Sequence, residues 1–225
     1  MTTRSPDDAF LDVVAHELRT PVTSIYAAAY VLARDRLETD DRRAVAAALV
    51  VEVERLYRLI EDLVVYGRAA SAVEQEPVLV RRVVLEVIDQ ERELVSDHRI
   101  AFSGPKDAVA DAADPAMVRH VVRNLLDNAV SYAPAGGTVQ VVVHLTPDEV
   151  VVRVLDDSPL NGRDGVEPSL VLDSAKRGPL AAQRAGAGLR LHVASRLASA
   201  MGGRTWARPG DSHGSEFGFA LPRTA

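Results

Sequence analysis

Hydrophobic residues recur at alternating steps of three and four along the first 70 residues of the chain. The first stripe comprises Leu11, Ala15, Leu18, Val22, Ile25, Ala29 and Leu32, and the second comprises Leu49, Val53, Leu56, Ile60 and Leu63. This spacing predicts two amphipathic helices, joined by the polar segment 34–43, with Ser5, Pro6 and Asp8 at the start of the first. Because the stripes are narrow, we expect a helical hairpin that pairs with a second copy into a four-helix bundle, and hence a homodimer.

From about residue 77 the pattern becomes mixed. Helical spacing covers 80–95, short strands are predicted at 99–104 and 108–112, and longer strands at 137–145 and 149–156. Between them, Asp114 and Pro115 predict the N-cap and first position of a helix that reaches residue 132. We expect Trp206, Phe217 and Phe219 in the core of the last strands. The sequence therefore predicts a hairpin domain at 1–72 and an α+β two-layer sandwich at 77–225.

Composition and charge narrow the function classes. The chain has 225 residues, a net charge of −6 and no cysteine. Without a run of Lys and Arg it lacks the basic surface that nucleic acids require, and no apolar run approaches the length of a membrane span. We therefore expect a cytoplasmic protein without nucleic-acid or membrane contacts.

The segment HELRTP, residues 16–21, places polar and charged groups inside the first apolar stripe. His16 lies about 140° around the helix from Leu11, which predicts an exposed ring on the flank of the stripe. Thr20 follows one helical turn later on the same face. The apolar phase continues beyond Pro21, which indicates a kink and not a helix end. Taken alone, His16 and Glu17 also fit an ordinary solvated surface pair.

A second polar stripe lies on the predicted helix 115–132, where Asn124, Asn128 and Tyr132 are spaced at four-residue intervals. Amide oxygens followed by an aromatic ring suit a nucleotide with a hydrated Mg²⁺ ion. The same stripe also fits a plain solvent-exposed face, and the spacing alone leaves both interpretations open.

These motifs resemble those of sensor histidine kinases. HELRTP is similar to the phosphoacceptor box of that family, RNLLDNAVSYAP to its asparagine box, and GAGLRLHVASRLASAMGG to its second glycine box. The resemblance covers nearly the whole chain in the expected order. It implies a phosphoacceptor hairpin followed by an ATP-binding domain of the histidine-kinase and gyrase type.

The resemblance also implies roles for individual residues. It implies ATP-dependent phosphorylation of His16, with Glu17 holding or removing the ring proton, and transfer to an aspartate of a response-regulator receiver domain. Thr20 matches the position that orients water for dephosphorylation of the receiver. The implied nucleotide site comprises Asn128 as the Mg²⁺ ligand, Asn124 near the phosphates, Tyr132 and Asp156 at the adenine, and the glycine-box residues Gly186, Gly188 and Leu189.

The chain departs from the family pattern in the nucleotide domain. Ser158 and Leu160 stand where the first glycine box has glycines, Ser131 replaces a lysine, and Arg190 replaces a third glycine of the second box. The segment 161–188, which contains Lys176, Arg177 and Arg184, is the expected ATP lid. Two alternatives to a kinase therefore stay open: a histidine phosphotransferase or phosphatase that no longer binds ATP, and a dimerisation module without catalysis.

Overall fold

The computed structural model describes residues 6–34, 38–68, 75–94, 98–157, 187–210 and 214–223. The chain divides into two compact units, Met1–Val64 and Val65–Ala225. The first unit is built from helices, and the second combines helices with strands.

Two long helices form the first unit. Helix α1 spans Pro6–Leu32 and helix α2 spans Thr39–Arg68. Helix α1 runs through Pro21 without ending, as the continued apolar phase predicts. Helix α2 begins inside the polar segment predicted as the connection, which is therefore shorter than expected. Asp40 and Asp41 lie in its first turn, where acidic side chains stabilise the positive end of the helix dipole.

The two predicted stripes stay partly exposed in the hairpin of one chain. Their members Val22, Val53 and Ile60 are 51%, 46% and 47% exposed, whereas the buried residues Val14 and Leu59 lie one position beside the stripes. Large apolar side chains therefore stay exposed along both helices. Within the described ranges, none of the helices is long and apolar enough to cross a membrane.

The second unit contains seven strands and three helices among its described residues. In chain order they are β1 Glu76–Leu79, α3 Val80–Leu94, β2 Arg99–Ser103, β3 Val109–Ala113, α4 Pro115–Tyr132, β4 Thr138–Leu145, β5 Glu149–Asp156, α5 Ala187–Ala200, β6 Arg204–Pro209 and β7 Ser215–Pro222. Strand β1 was not predicted, because four residues directly before a helix carry too little alternation to identify a strand.

A five-stranded sheet organises the second unit. Its strand order is β2-β4-β5-β7-β6, with β2 parallel to β4 and the other pairs antiparallel. Strands β1 and β3 form a separate antiparallel pair. Helix α4 packs on the sheet through an apolar face that includes Val121 and Leu125, both fully buried. The observed layers confirm the predicted α+β sandwich.

The ends of helix α4 follow the sequence prediction closely. The side chain of Asp114 accepts hydrogen bonds from the backbone N–H groups of Ala116 and Met117, at 2.7 and 3.2 Å. Pro115 occupies the first helical position, where its missing N–H leaves no intrahelical bond unmade. The N-cap therefore sets the start of the helix that carries Asn124 and Asn128.

The last two strands place their aromatic residues on opposite faces of the sheet. Phe217 and Phe219 are buried under the helices, as predicted. The prediction for Trp206 was wrong, because this half-buried side chain lies over Gly218 on the face opposite the helices. Neighbouring residues of a strand point to opposite faces, and a Cβ atom on Gly218 would lie 2.3 Å from the indole.

Candidate functional site

The HELRTP segment forms part of helix α1 in the first unit. The His16 side chain is exposed, as predicted, whereas Glu17 is only 3% exposed. Thr20 is exposed, and its Oγ1 donates to the His16 carbonyl at 3.4 Å. Pro21 has no N–H to donate to the Glu17 carbonyl, so the backbone ladder is interrupted one turn after the His-Glu pair. A solvated surface pair does not describe these residues, because the carboxylate is buried.

The buried Glu17 carboxylate faces an arginine of the second helix. Nη2 of Arg55 lies 3.8 Å from Oε2 of Glu17, and Nη1 of the same guanidinium lies 3.9 Å from Oε2 of Glu52. A charged carboxylate inside a protein needs a counter-charge or hydrogen bonds, and Arg55 supplies the counter-charge here. Arg55 was not among the predicted site residues, since only the pairing of α1 with α2 brings it to Glu17.

The two asparagines of the polar stripe on helix α4 are buried and Tyr132 is half-buried, so the solvent-surface interpretation was wrong. Asn124 is 2% exposed and Asn128 is fully buried. Among the residues that the structure describes, neither the amide nitrogen nor the amide oxygen of Asn128 has a hydrogen-bond partner. Asn124, one turn earlier, has an interaction partner within the protein. A buried amide without protein partners is the feature expected of a residue that binds a ligand or an ordered water.

Tyr132 ends helix α4 and Asp156 ends strand β5, and both contact residues near the start of strand β7. The Tyr132 ring is 5.7 Å from that of Phe217, measured between centroids. Asp156 is 5% exposed and its Oδ1 accepts a hydrogen bond from the backbone N–H of Ser215 at 3.2 Å. The fold thus brings the end of helix α4 and the end of strand β5 to one edge of the domain.

Gly214 makes this arrangement possible and was not recognised from the sequence. It has φ +79°, and an added Cβ atom would lie 1.7 Å from the Asp156 carbonyl oxygen. Only glycine combines this backbone conformation with so close an approach. Its signal in the sequence is a single glycine before a strand, a pattern that ordinary turns also produce.

The second glycine box leads into helix α5. Gly188 lies in the first turn of that helix and Leu189 is fully buried. Arg190 places Nη1 3.6 Å from Oδ2 of Asp127, the residue before Asn128. This ion pair ties the first turn of α5 to helix α4. Ser131, the replacement for the family's lysine, donates its hydroxyl to the Asp127 carbonyl at 2.6 Å.

Several predicted features lie outside the described residues. These are Gly186, the replacements Ser158 and Leu160, and the expected lid with Lys176, Arg177 and Arg184. The other predicted site residues form two groups, His16 with its neighbours in the first unit and the Asn128 group in the second.

Comparison with protein families gives two matches. Residues 8–72 match the family model of the His Kinase A (phospho-acceptor) domain. Residues 113–225 match that of the histidine kinase-, DNA gyrase B- and HSP90-like ATPases. The first match contains His16, and the second contains Asn124, Asn128, Tyr132 and Asp156.

Individual relatives agree with the family matches. The chain is 27% identical over 216 residues to sensor protein KdpD of Clostridium acetobutylicum, covering 93% of this chain and 24% of that protein. It is 32% identical over 220 residues to the probable sensor histidine kinase TcrY of Mycobacterium tuberculosis, covering 95% and 45%. The chain thus spans less than half the length of either relative.

Solved structures share the fold. The crystal structure of histidine kinase ThkA, solved in complex with response regulator protein TrrA, aligns with a TM-score of 0.67 and 18% identity. The alignment covers 94% of this chain and 60% of that chain. At this level of identity the likeness concerns the fold alone.

Proposed function

The chain belongs to the sensor histidine kinases, and from this premise we propose that it phosphorylates His16 with ATP and passes the phosphoryl group to an aspartate of a response-regulator receiver domain. The proposal draws on both matched domains, since the phosphoacceptor hairpin supplies the nucleophile and the ATPase-type domain supplies the nucleotide site. The retained HELRTP box and the buried asparagines favour it over a scaffold without catalysis.

The observation that carries the proposal is the buried Asn128 amide. Its oxygen and nitrogen have no hydrogen-bond partner among the described residues, although the side chain is fully buried. Leaving a buried amide unsatisfied costs about 1–3 kcal/mol, so such a group is retained where a ligand completes it. A neutral amide oxygen is a ligand that Mg²⁺ accepts beside phosphate oxygens and water. The residue therefore fits the Mg²⁺ position that the family implies.

The remaining residues of the nucleotide site would orient ATP. We propose that Asp156 accepts a hydrogen bond from the adenine amino group and that Tyr132 lies beside the base. Asn124 would contact the phosphates. Gly188 and Leu189 at the start of helix α5, together with Gly186 of the same glycine box, would direct backbone N–H groups towards them. Bound Mg²⁺ would offset the negative charge on the phosphate oxygens during transfer.

In the phosphorylation step, a nitrogen of the exposed His16 ring attacks the γ-phosphorus in line. The N–P bond forms while the bond from the γ-phosphorus to the bridging oxygen of ADP breaks. The ring would gain positive charge, and Glu17 holds or removes the proton on the other ring nitrogen. The phosphoryl group is then transferred from His16 to a receiver aspartate. In a second activity, dephosphorylation of the receiver, Thr20 would orient the attacking water.

A homodimer is part of the proposal. The exposed apolar side chains on both helices of the hairpin, among them Val22, Val53 and Ile60, match the seams predicted to face a second copy. Burying the exposed half of such a side chain contributes roughly 1 kcal/mol, which favours a four-helix bundle over the isolated hairpin.

The test is incubation of the purified chain with γ-labelled ATP and Mg²⁺, scoring label that is stable to base and labile to acid. We expect label on the wild type and on His144→Ala, which removes a histidine of strand β4. His16→Ala should lose the label but bind ATP, whereas Asn128→Ala should lose both. Absence of label on the wild type, together with transfer from a phosphorylated receiver back to His16, would instead favour the phosphotransferase alternative.

A further inference from the structure

Glu17 is the most deeply buried charged side chain next to the phosphoacceptor. Its side chain is 4% exposed, although its sequence neighbour His16 is exposed. Buried Val14 precedes it by one turn and buried Pro21 follows it by one turn. A carboxylate withdrawn from water in this way needs a counter-charge or hydrogen bonds in place of its hydration. A proton acceptor at this position therefore needs a nearby positive charge.

Arg55 is the cation that the fold brings to Glu17. Its guanidinium lies between two carboxylates, with Nη2 3.8 Å from Glu17 and Nη1 3.9 Å from Glu52. The Arg55 side chain is 29% exposed, so the charge is partly withdrawn from water. Glu52 lies on α2 together with Arg55, and its carboxylate helps to orient the guanidinium of Arg55 towards Glu17 on α1.

We propose that Arg55 is a positioning residue for phosphorylation of His16: it supplies the counter-charge of the buried Glu17 carboxylate and fixes the orientation of that carboxylate. The inference rests on the proposed kinase function and adds a residue of the second helix to it. Arg55 takes no part in bond making, since the N–P bond still forms at His16 and the ring proton still goes to Glu17. Its contribution is the counter-charge and the orientation of the proton acceptor.

The test compares substitutions of Arg55 with a matched arginine of the same helix. Arg58, exposed on α2, donates its Nε to the Glu54 carbonyl, and Arg58→Met serves as the control. Arg55→Met should lower the rate of His16 labelling by roughly 10- to 100-fold, the range expected when a reacting group is misplaced. The KM for ATP should stay within about twofold, because the nucleotide domain is unaltered. Arg55→Lys, which retains the charge, should recover most of the rate.

Coupling to Glu17 separates a positioning role from a merely structural one. In a Glu17→Gln background, Arg55→Met should change the residual rate by less than about twofold, since no ionised carboxylate remains to be held. An equal loss in both backgrounds would overturn the inference, as would a loss that Arg55→Lys does not recover. Melting temperatures of all variants identify any variant whose loss of rate reflects unfolding.

The two proposals fail in different ways. If the wild type takes no label from ATP, the kinase function is refuted, and the role of Arg55 with it. If the wild type and Arg58→Met take label and Arg55→Met matches them, only the role of Arg55 is refuted.

Discussion

Replacing Asn128 by alanine is expected to abolish stabilisation by nucleotide without lowering the stability of the nucleotide-free protein. Asn128 is fully buried, and its amide has no hydrogen-bond partner among the described residues. Removing a buried amide that lacks partners relieves a penalty of about 1–3 kcal/mol. The cavity left behind, roughly 40 Å³, costs about 1 kcal/mol. The free energy of unfolding should therefore stay constant or rise by up to about 2 kcal/mol.

Bound nucleotide is expected to raise the melting temperature of the wild type but not that of Asn128→Ala. A ligand at roughly 100 times its Kd stabilises the folded protein by about 2.7 kcal/mol. For a domain of this size, that corresponds to a rise in melting temperature of roughly 5–10 °C. Asn128→Ala should lose this rise because it lacks the amide that would complete the Mg²⁺ and phosphate site.

The assay is thermal unfolding with and without a non-hydrolysable ATP analogue and Mg²⁺. Trp206 is the single tryptophan of the chain and lies in the second unit, so its fluorescence follows that unit alone. Asn124→Ala is the matched control for stability without nucleotide, since Asn124 is about as buried one turn away but has an interaction partner within the protein. We expect Asn124→Ala to lose about 1–3 kcal/mol without nucleotide. If Asn128→Ala loses as much, or keeps the nucleotide-induced shift, the reasoning is refuted.

Two further predictions concern the sheet face opposite the helices. Burial raises the pKa of Glu216, but hydrogen bonds from Arg153 and Trp206 outweigh it and hold the pKa below the usual 4.5. The stabilising contribution of the ionised Glu216 is therefore present above pH 4.5 and is lost as the pH falls through the lowered pKa. Glu216→Gln should lower the melting temperature at pH 7, and the melting temperature of this variant should fall less steeply in acid than that of the wild type. A variant whose melting temperature depends on pH as the wild type's does would contradict this. Gly218→Ala should lower the free energy of unfolding by about 1–3 kcal/mol and alter Trp206 fluorescence, because the new Cβ atom would overlap the indole. Gly67→Ala in helix α2 is the control and should not lower the free energy of unfolding, since the space around Gly67 is open.

Local patterns in the sequence were sufficient to predict most of the fold. The alternating apolar steps predicted α1 and α2, and Asp114 with Pro115 predicted the start of helix α4. Each of these signals depends on residues within a few positions of one another, where backbone geometry fixes which side chains share a face. The start of α2 was misplaced because a polar first turn and a polar loop have the same composition.

The candidate site was predictable only in part. HELRTP and the asparagine stripe identified His16 and Asn128, but spacing alone left the stripe of α4 equally compatible with solvent exposure. Burial of Asn124 and Asn128 follows from packing in the second unit, which depends on residues far away in the chain. The amphipathic pattern of a helix shows which side chains share a face, but not what covers that face.

By itself, the sequence determined the helical hairpin, the mixed second domain and the residue types available for phosphoryl transfer, because these follow from local periodicity and motif spacing. The tertiary structure alone decided that Arg55 faces Glu17 across the hairpin, that Gly214 passes against Asp156, and that Trp206 lies away from the core. These contacts join residues from about ten to nearly sixty positions apart, and only the pairing of helices and strands sets which of many such residues meet.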